Sequence, residues 1–252
     1  MTKPQFYDTS LGRKIAYHKT EGDGIGVVFL GGFKSDMDGT KAIYLEDWAK
    51  SKGRPFLRFD YSGHGVSSEK FVDGCIGDWA DDALEIISKL TDGKQILVGS
   101  SMGGWITLLM AKRIPELIAG VVGIAAAPDF TEDSMWANFT VEQQEMIMRD
   151  GQLALENDYS DEPYIITKKL IEDGRDQLVL REPLDLPFPV RLLHGTADAD
   201  VDMSVPLRIL DHVTGDDVRL SLIKGGDHRF SEPENLAMIR RAVHSVTMKA
   251  GA

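Results

Sequence analysis

Gln95-Ile96-Leu97-Val98-Gly99-Ser100-Ser101-Met102-Gly103-Gly104 runs from an apolar stretch into a helical pattern over 105–113. A short apolar run bounded by a turn reads as a strand buried on both faces. At the junction lies Gly-x-Ser-x-Gly with Ser101 in the frame. Ser100 is out of frame, since the positions two away from it are Val98 and Met102. A serine on so sharp a strand-to-helix turn projects its hydroxyl clear of the sheet, and the crowded backbone calls for glycine on either side. The start of the helix brings free N–H groups and the positive end of the helix dipole to the same spot. Ser101 is therefore the candidate nucleophile.

Strand and helix signals alternate outward from this turn. Gly26 to Leu30 is a continuous apolar strand, followed by the loop Gly31-Gly32-Phe33. Ala42, Leu45, Trp48 and Ala49 form a helical stripe over 41–52, and Gly53 ends it. A strand over 55–59 runs into Asp60-Tyr61-Ser62-Gly63-His64-Gly65, whose glycines suit a tight turn. A helix over 76–90 and a strand over 117–124 follow. The rhythm returns with a strand at 190–194, a helix at 205–213 and a strand at 218–223. Ser231-Glu232-Pro233-Glu234 reads as a capping box opening the last helix, to about 248. Residues 5–18 read as an antiparallel hairpin at the sheet edge.

This alternation predicts an α/β fold with a doubly wound, mostly parallel sheet. Residues 129–185 break it with helical patterns over 141–155 and 164–173, too long a stretch for an ordinary loop. A single domain over 1–252 is expected, with its core in 1–128 and 186–252 and an inserted helical cap over 129–185. Ligands bind at the carboxyl edge of such sheets, where this insertion falls. Met135, Trp136, Met146 and Met148 could line a pocket there or pack the cap onto the body.

Composition limits the partners. A net charge of −12 disfavours nucleic acid and anionic membrane surfaces. No apolar run reaches the length of a membrane span. Met1-Thr2-Lys3-Pro4-Gln5-Phe6 carries neither an apolar signal core nor an Arg-rich pattern, so a cytoplasmic location is expected. The single cysteine, Cys75, excludes an intrachain disulfide and a multi-cysteine metal site; with no basic neighbour it reads as a small apolar filler. No ligand-spaced cluster is visible along the chain, so no metal or cofactor is expected.

Ser101 needs a base, and the base needs an orienting acid. For a serine on this kind of turn the acid comes next along the chain and the histidine last. His212 and His244 fall inside helical patterns, and His194 ends a strand. His228 sits in Gly225-Gly226-Asp227-His228-Arg229, a loop after the last strand, and is the candidate base. Asp198, in His194-Gly195-Thr196-Ala197-Asp198, is the candidate acid because it lies closest to its strand, with Asp200 and Asp202 as competitors. Asp227 reads as loop-shaping, since neighbouring side chains in extended chain point apart. The oxyanion hole needs two N–H donors, here the amides of Met102 and Phe33, with Gly32 next in line. His64 reads as hydrogen-bonding within its own turn.

On these five motifs (Gly31-Gly32-Phe33, Asp60 to Gly65, Gly99 to Gly104, His194 to Asp198 and Asp227-His228-Arg229) the chain resembles the α/β-hydrolase superfamily over nearly its whole length. Gly39-Thr40-Lys41-Ala42, Gly103-Gly104-Trp105 and Arg191-Leu192-Leu193 narrow the likeness to the mitochondrial domain-containing-protein-ten branch, described as palmitoyl-protein thioesterases and acyl-glucuronide esterases. The resemblance implies a serine carboxylesterase or thioesterase acting on a small-molecule or acylated-protein substrate. Rival readings with the same triad are a C–C bond hydrolase, a perhydrolase or a low-turnover ligand receptor. Chain length, leaving group and oligomeric state are left open.

Overall fold

The computed structural model describes residues 3–156 and 163–251. Residues 157–162 of the expected cap, with Met1, Thr2 and Ala252, lie outside the described residues. Strands β1 (Gln5–Asp8), β2 (Lys14–Thr20), β3 (Gly26–Leu30), β4 (Phe56–Phe59), β5 (Gln95–Ser100) and β6 (Ile118–Ile124) come first in the chain. A separate pair follows, β7 (Gln152–Leu155) and β8 (Tyr164–Thr167), and then β9 (Val190–Gly195) and β10 (Val218–Ile223). The main sheet has the order β1-β2-β4-β3-β5-β6-β9-β10. Its first two pairings are antiparallel and the rest parallel, as the alternating pattern predicts.

Side-chain alternation explains the two-sided core. Val28, Leu30 and Leu97 point into one apolar cluster with Trp79 and Trp105, from helices α2 (Ile76–Leu90) and α3 (Met102–Arg113). Val27, Phe29, Ile96 and Val98 point into the other, built on α1 (Thr40–Ser51) and the final helix, Pro233–Ala250.

Register brings the strand ends together. Leu30 pairs with Gly99, Ser100 with Ile124, Ile124 with Leu193, and Ile223 with Gly195. The loops that carry Phe33, Ser101, Asp198 and His228 therefore leave the sheet at one edge, its carboxyl edge.

The stretch between β6 and β9 differs from the helical expectation. The pattern over 141–155 divides into α4 (Val141–Asp150) and β7, broken at Gly151 in the left-handed region (φ 82°). The pattern over 164–173 divides into β8 and α5 (Lys168–Asp176). Leu153 pairs with Ile166, and both are buried, so cross-strand pairing outweighs a helical periodicity of short range. A second correction concerns Ser231: the final helix starts from Glu232 without a side-chain cap, and Ser231 Oγ donates instead to the Arg229 carbonyl at 3.0 Å. Helix α6 (Ser204–His212) lies beside β10.

The glycines beside Ser101 each have a steric reason. A Cβ on Gly99 would overlap the Gly103 carbonyl and Thr107 Oγ1, and one on Gly103 would overlap the carbonyl oxygens of Leu30 and Gly31. Helix α3 thus rests directly on the backbone leaving β3. Gly103→Ala is expected to cost roughly 3 kcal/mol, in the range of overpacked cores, read from the midpoint shift in urea unfolding at unchanged m-value. A variant as stable as the wild type would show that α3 can move away from β3.

Candidate active site

Ser101 sits at φ 55° and ψ −120°, a region that an L-residue enters at a cost of about 1–3 kcal/mol. Main-chain bonds hold it there, one of them from the Gly104 amide to its carbonyl at 2.9 Å. The Ser101 amide donates to the Ile124 carbonyl at 2.9 Å, and its carbonyl also accepts from the Ala127 amide at 3.0 Å. The turn is thereby tied to the end of β6.

The acid and histidine loops are sewn to each other. The Thr196 amide donates to the Ile223 carbonyl at 2.9 Å, and the Ala197 amide to the Gly226 carbonyl at 3.0 Å. The Gly225 amide donates to Thr196 Oγ1 at 3.0 Å. These bonds carry residues thirty apart in sequence into contact. His228 Nδ1 lies 2.9 Å from Asp198 Oδ2 and 3.1 Å from Oδ1, and His228 Nε2 lies 3.0 Å from Ser101 Oγ. Asp198 Oδ1 also accepts from the amides of Asp200 and Val201, both at 2.9 Å. Burial pushes the Asp198 pKa upward, but the bonds from His228 and the Val201 amide outweigh it and hold the carboxyl below its usual range.

Asp202 accepts from the Ser204 amide at 2.8 Å at the start of α6. Asp200 reaches the cavity wall, while Asp198 fills the position beside His228 Nδ1. Asp227 shapes its loop by accepting from the Phe230 amide at 2.9 Å. His194, fully buried, places Nε2 3.1 Å from the Val201 carbonyl behind Asp198, while burial lowers its pKa. Cys75 is buried, its thiol donates to Asp78 at 3.1 Å, and desolvation pushes its pKa up to about 12, in keeping with an inert filler.

The fold also assembles what the linear spacing conceals: Asp198, Asp200 and His228 offer ligand atoms within 4.8 Å of one another. Both oxygens of Asp198 already face His228 Nδ1, so a cation there would compete with that bond.

Ser101 and His228 open onto a cavity of about 810 Å³. Gly32 lies against Ser101, where an added Cβ would be 3.4 Å from Ser101 Cβ. Phe33 follows, its ring edge-on to Phe71, Phe130 and Tyr164. Met102 opens α3 directly after Ser101 and is fully buried. Of the four residues with two possible uses, Met135 reaches the cavity. Trp136 packs under Arg175 and against Phe139, and Met146 and Met148 are exposed. Phe130, Tyr164 and Lys34 also line the cavity, although no motif marks them, as do Lys41 and Arg229, which fall inside quoted motifs without a role read for them. Lys41 Nζ donates to the Arg229 carbonyl at 2.6 Å. Burial pushes its ammonium down to about 8, with Asp227 opposing and Arg229 adding to the fall. Asp129, also unforeseen, is buried at φ 58° and accepts from the amides of Val179 and Leu180, at 2.8 and 2.9 Å, anchoring the return of the 129–185 segment.

The family model for the alpha/beta hydrolase fold matches residues 27–165. The chain belongs to the α/β-hydrolase family, and it is a hydrolase. It is similar to the protein named palmitoyl-protein thioesterase ABHD10, mitochondrial. The rat protein is 36% identical over 226 residues, covering 89% of this chain and 76% of that one. The human protein is also 36% identical, with 74% of its length covered. Among solved structures, mouse alpha/beta hydrolase domain-containing protein 10 superposes with a TM-score of 0.91 at 34% identity, covering 98% of this chain and 99% of that one. An Agrobacterium vitis S4 chain gives 0.92 at 36%, covering 98% and 100%. The expectation of a cytoplasmic location is corrected by the mammalian thioesterase relatives, which are named as mitochondrial proteins. Among the described residues no helix is long and apolar enough to cross a membrane.

His64 lends the site a pH signature. Enclosure among aromatic rings pushes its imidazole down to about 4, with the Ser62 carbonyl opposing the fall. The folded pKa is depressed, so this contribution is complete above the unfolded value near 6.5 and is lost as pH falls towards 4. Urea unfolding of the wild type should lose about 3 kcal/mol more than His64→Gln between pH 7 and 4. Parallel curves would contradict the buried neutral imidazole.

Proposed function

We propose that the protein cleaves carboxylic esters or thioesters through an acyl-enzyme on Ser101. The observation that carries this reading is the unbroken line from Asp198 through both nitrogens of His228 to Ser101 Oγ. His228 Nε2 takes the Ser101 proton as Oγ attacks the carbonyl. Asp198 keeps the other proton on Nδ1 and offsets the imidazolium charge. The amides of Phe33 and Met102 meet the charge that develops on the carbonyl oxygen. His228 then gives its proton to the leaving alcohol or thiol, activates a water, and the acid departs.

The 129–185 segment is read as a cap on a core formed by 1–128 and 186–252. Its contribution of Phe130, Met135 and Tyr164 to the cavity wall, with Phe29 and Phe33 from the core, suits an acyl chain. The printed names of the relatives, palmitoyl-protein thioesterases, favour an acyl thioester over other acyl donors and admit an acylated protein as well as a small molecule.

Ser101→Ala should lower turnover of a p-nitrophenyl ester on the order of 10⁶-fold, and Asp198→Asn about 10⁴-fold, measured against thioesters of graded chain length in parallel. Retention of most activity in Ser101→Ala would overturn the mechanism. Near-normal turnover in Asp198→Asn would pass the acid's role to Asp200 or Asp202.

A further inference from the structure

The His64 side chain reaches beyond the Asp60–Gly65 turn to the loop that carries Phe33, as do Asp60, which accepts from the Met37 amide at 2.6 Å, and Tyr61, whose hydroxyl donates to the Gly31 carbonyl at 3.5 Å. His64 Nε2 lies 3.2 Å from the Lys34 amide nitrogen, and His64 Nδ1 lies 3.2 Å from the Ser62 carbonyl oxygen. An N–H at one ring nitrogen and a carbonyl at the other admit one state: neutral imidazole with its proton on Nδ1. The ring is 3% exposed and packs edge-on against Tyr61, Phe71 and Trp79 at centroid distances of 5.5, 5.2 and 5.0 Å.

What holds His64 is itself held. Trp79 Nε1 donates to the same Ser62 carbonyl at 3.0 Å. The Ser62 amide and hydroxyl donate to Asp82 Oδ2 at 2.9 and 2.6 Å, and Asp82 pairs with Arg13 at 2.7 Å. A buried polar line thus runs from α2 to the Lys34 amide. Lys34 sits at φ 56°, a conformation that favours glycine, so its peptide needs an outside anchor to persist.

We propose that His64 is a positioning residue for the oxyanion-binding amide of Phe33, fixing the adjoining peptide through the Lys34 N–H. The inference rests on the reading of Phe33 as an oxyanion donor. The 33–34 peptide is part of the short connection that aims the Phe33 N–H, and the Phe33 ring, clamped by Phe71 at 4.8 Å and Phe130 at 5.6 Å, fixes the same residue from its side chain. Such a donor acts by being aimed before charge develops, so a displacement near 1 Å is felt in turnover rather than in substrate binding.

Two amide side chains separate this role from mere filling. Glutamine places its oxygen near the Nε2 position and can accept from the Lys34 amide; asparagine reaches only the Nδ1 position. His64→Asn should lose about 100-fold in kcat with KM within threefold, and its affinity for an aryl trifluoromethyl ketone should weaken by the same factor as kcat/KM falls. His64→Gln should recover at least a tenth of wild-type kcat. Wild-type kcat in His64→Asn, equal losses in both variants, or a loss confined to KM with unchanged ketone affinity would overturn the proposal. Failure of the underlying mechanism reads differently: Ser101→Ala would then stay active, whereas failure of this inference alone leaves Ser101→Ala inactive.

Discussion

The site depends on one strained residue. Ser101 is held outside the comfortable regions of backbone space, at φ 55° and ψ −120°, and the molecule around it is arranged so that it has nowhere else to go. Its amide and carbonyl are spent on Ile124 and Ala127, and helix α3 begins at once, pressed onto the backbone of β3 through Gly103. Strain of this kind persists only where neighbouring structure over-determines it. Here the two-sided core supplies that constraint, with Trp105 and the other buried residues of α3 filling one face of the sheet.

The same constraint sets the electrostatics. Because the parallel strands end together, the loops bearing Asp198 and His228 meet beside Ser101 and are joined by three hydrogen bonds of their own. Asp198 is then surrounded by donors: the imidazole and the amides of Asp200 and Val201. A buried carboxylate with that many donors stays ionised at low cost, and it fixes the imidazole proton on the side away from Ser101. His64 shows the opposite arrangement. Its apolar cage keeps the ring neutral, and a neutral ring can accept a backbone N–H that an imidazolium would repel.

Much of this was legible in the chain, for stated physical reasons. Apolar runs such as 95–98 and 118–124 are buried on both faces and carry their own signature. Gly99, Ser101 and Gly103 declare a turn that tolerates few other residues. The 129–185 segment was less legible because its local pattern conflicts with its contacts. Leu153 and Ile166 fit a helical stripe as well as a strand, and their pairing across the hairpin decides the matter. Ser231 and Glu234 have capping-box spacing, yet Ser231 turns back to Arg229. The cavity residues Phe130, Tyr164 and Lys41 come from three separate elements, and no spacing rule joins them before the sheet is built. His64 does bond within its turn, to the Ser62 carbonyl, but its second partner, the Lys34 amide, is a backbone group that sequence does not mark.

The central claim is that Ser101 is the group that takes the acyl chain. Stoichiometric labelling with a fluorophosphonate, followed by tandem mass spectrometry of the modified peptide, tests it most directly. The account predicts one adduct per chain, on Ser101 and not on neighbouring Ser100, with esterase activity lost in proportion to labelling. An adduct on another residue, or full activity in a fully labelled protein, would contradict it.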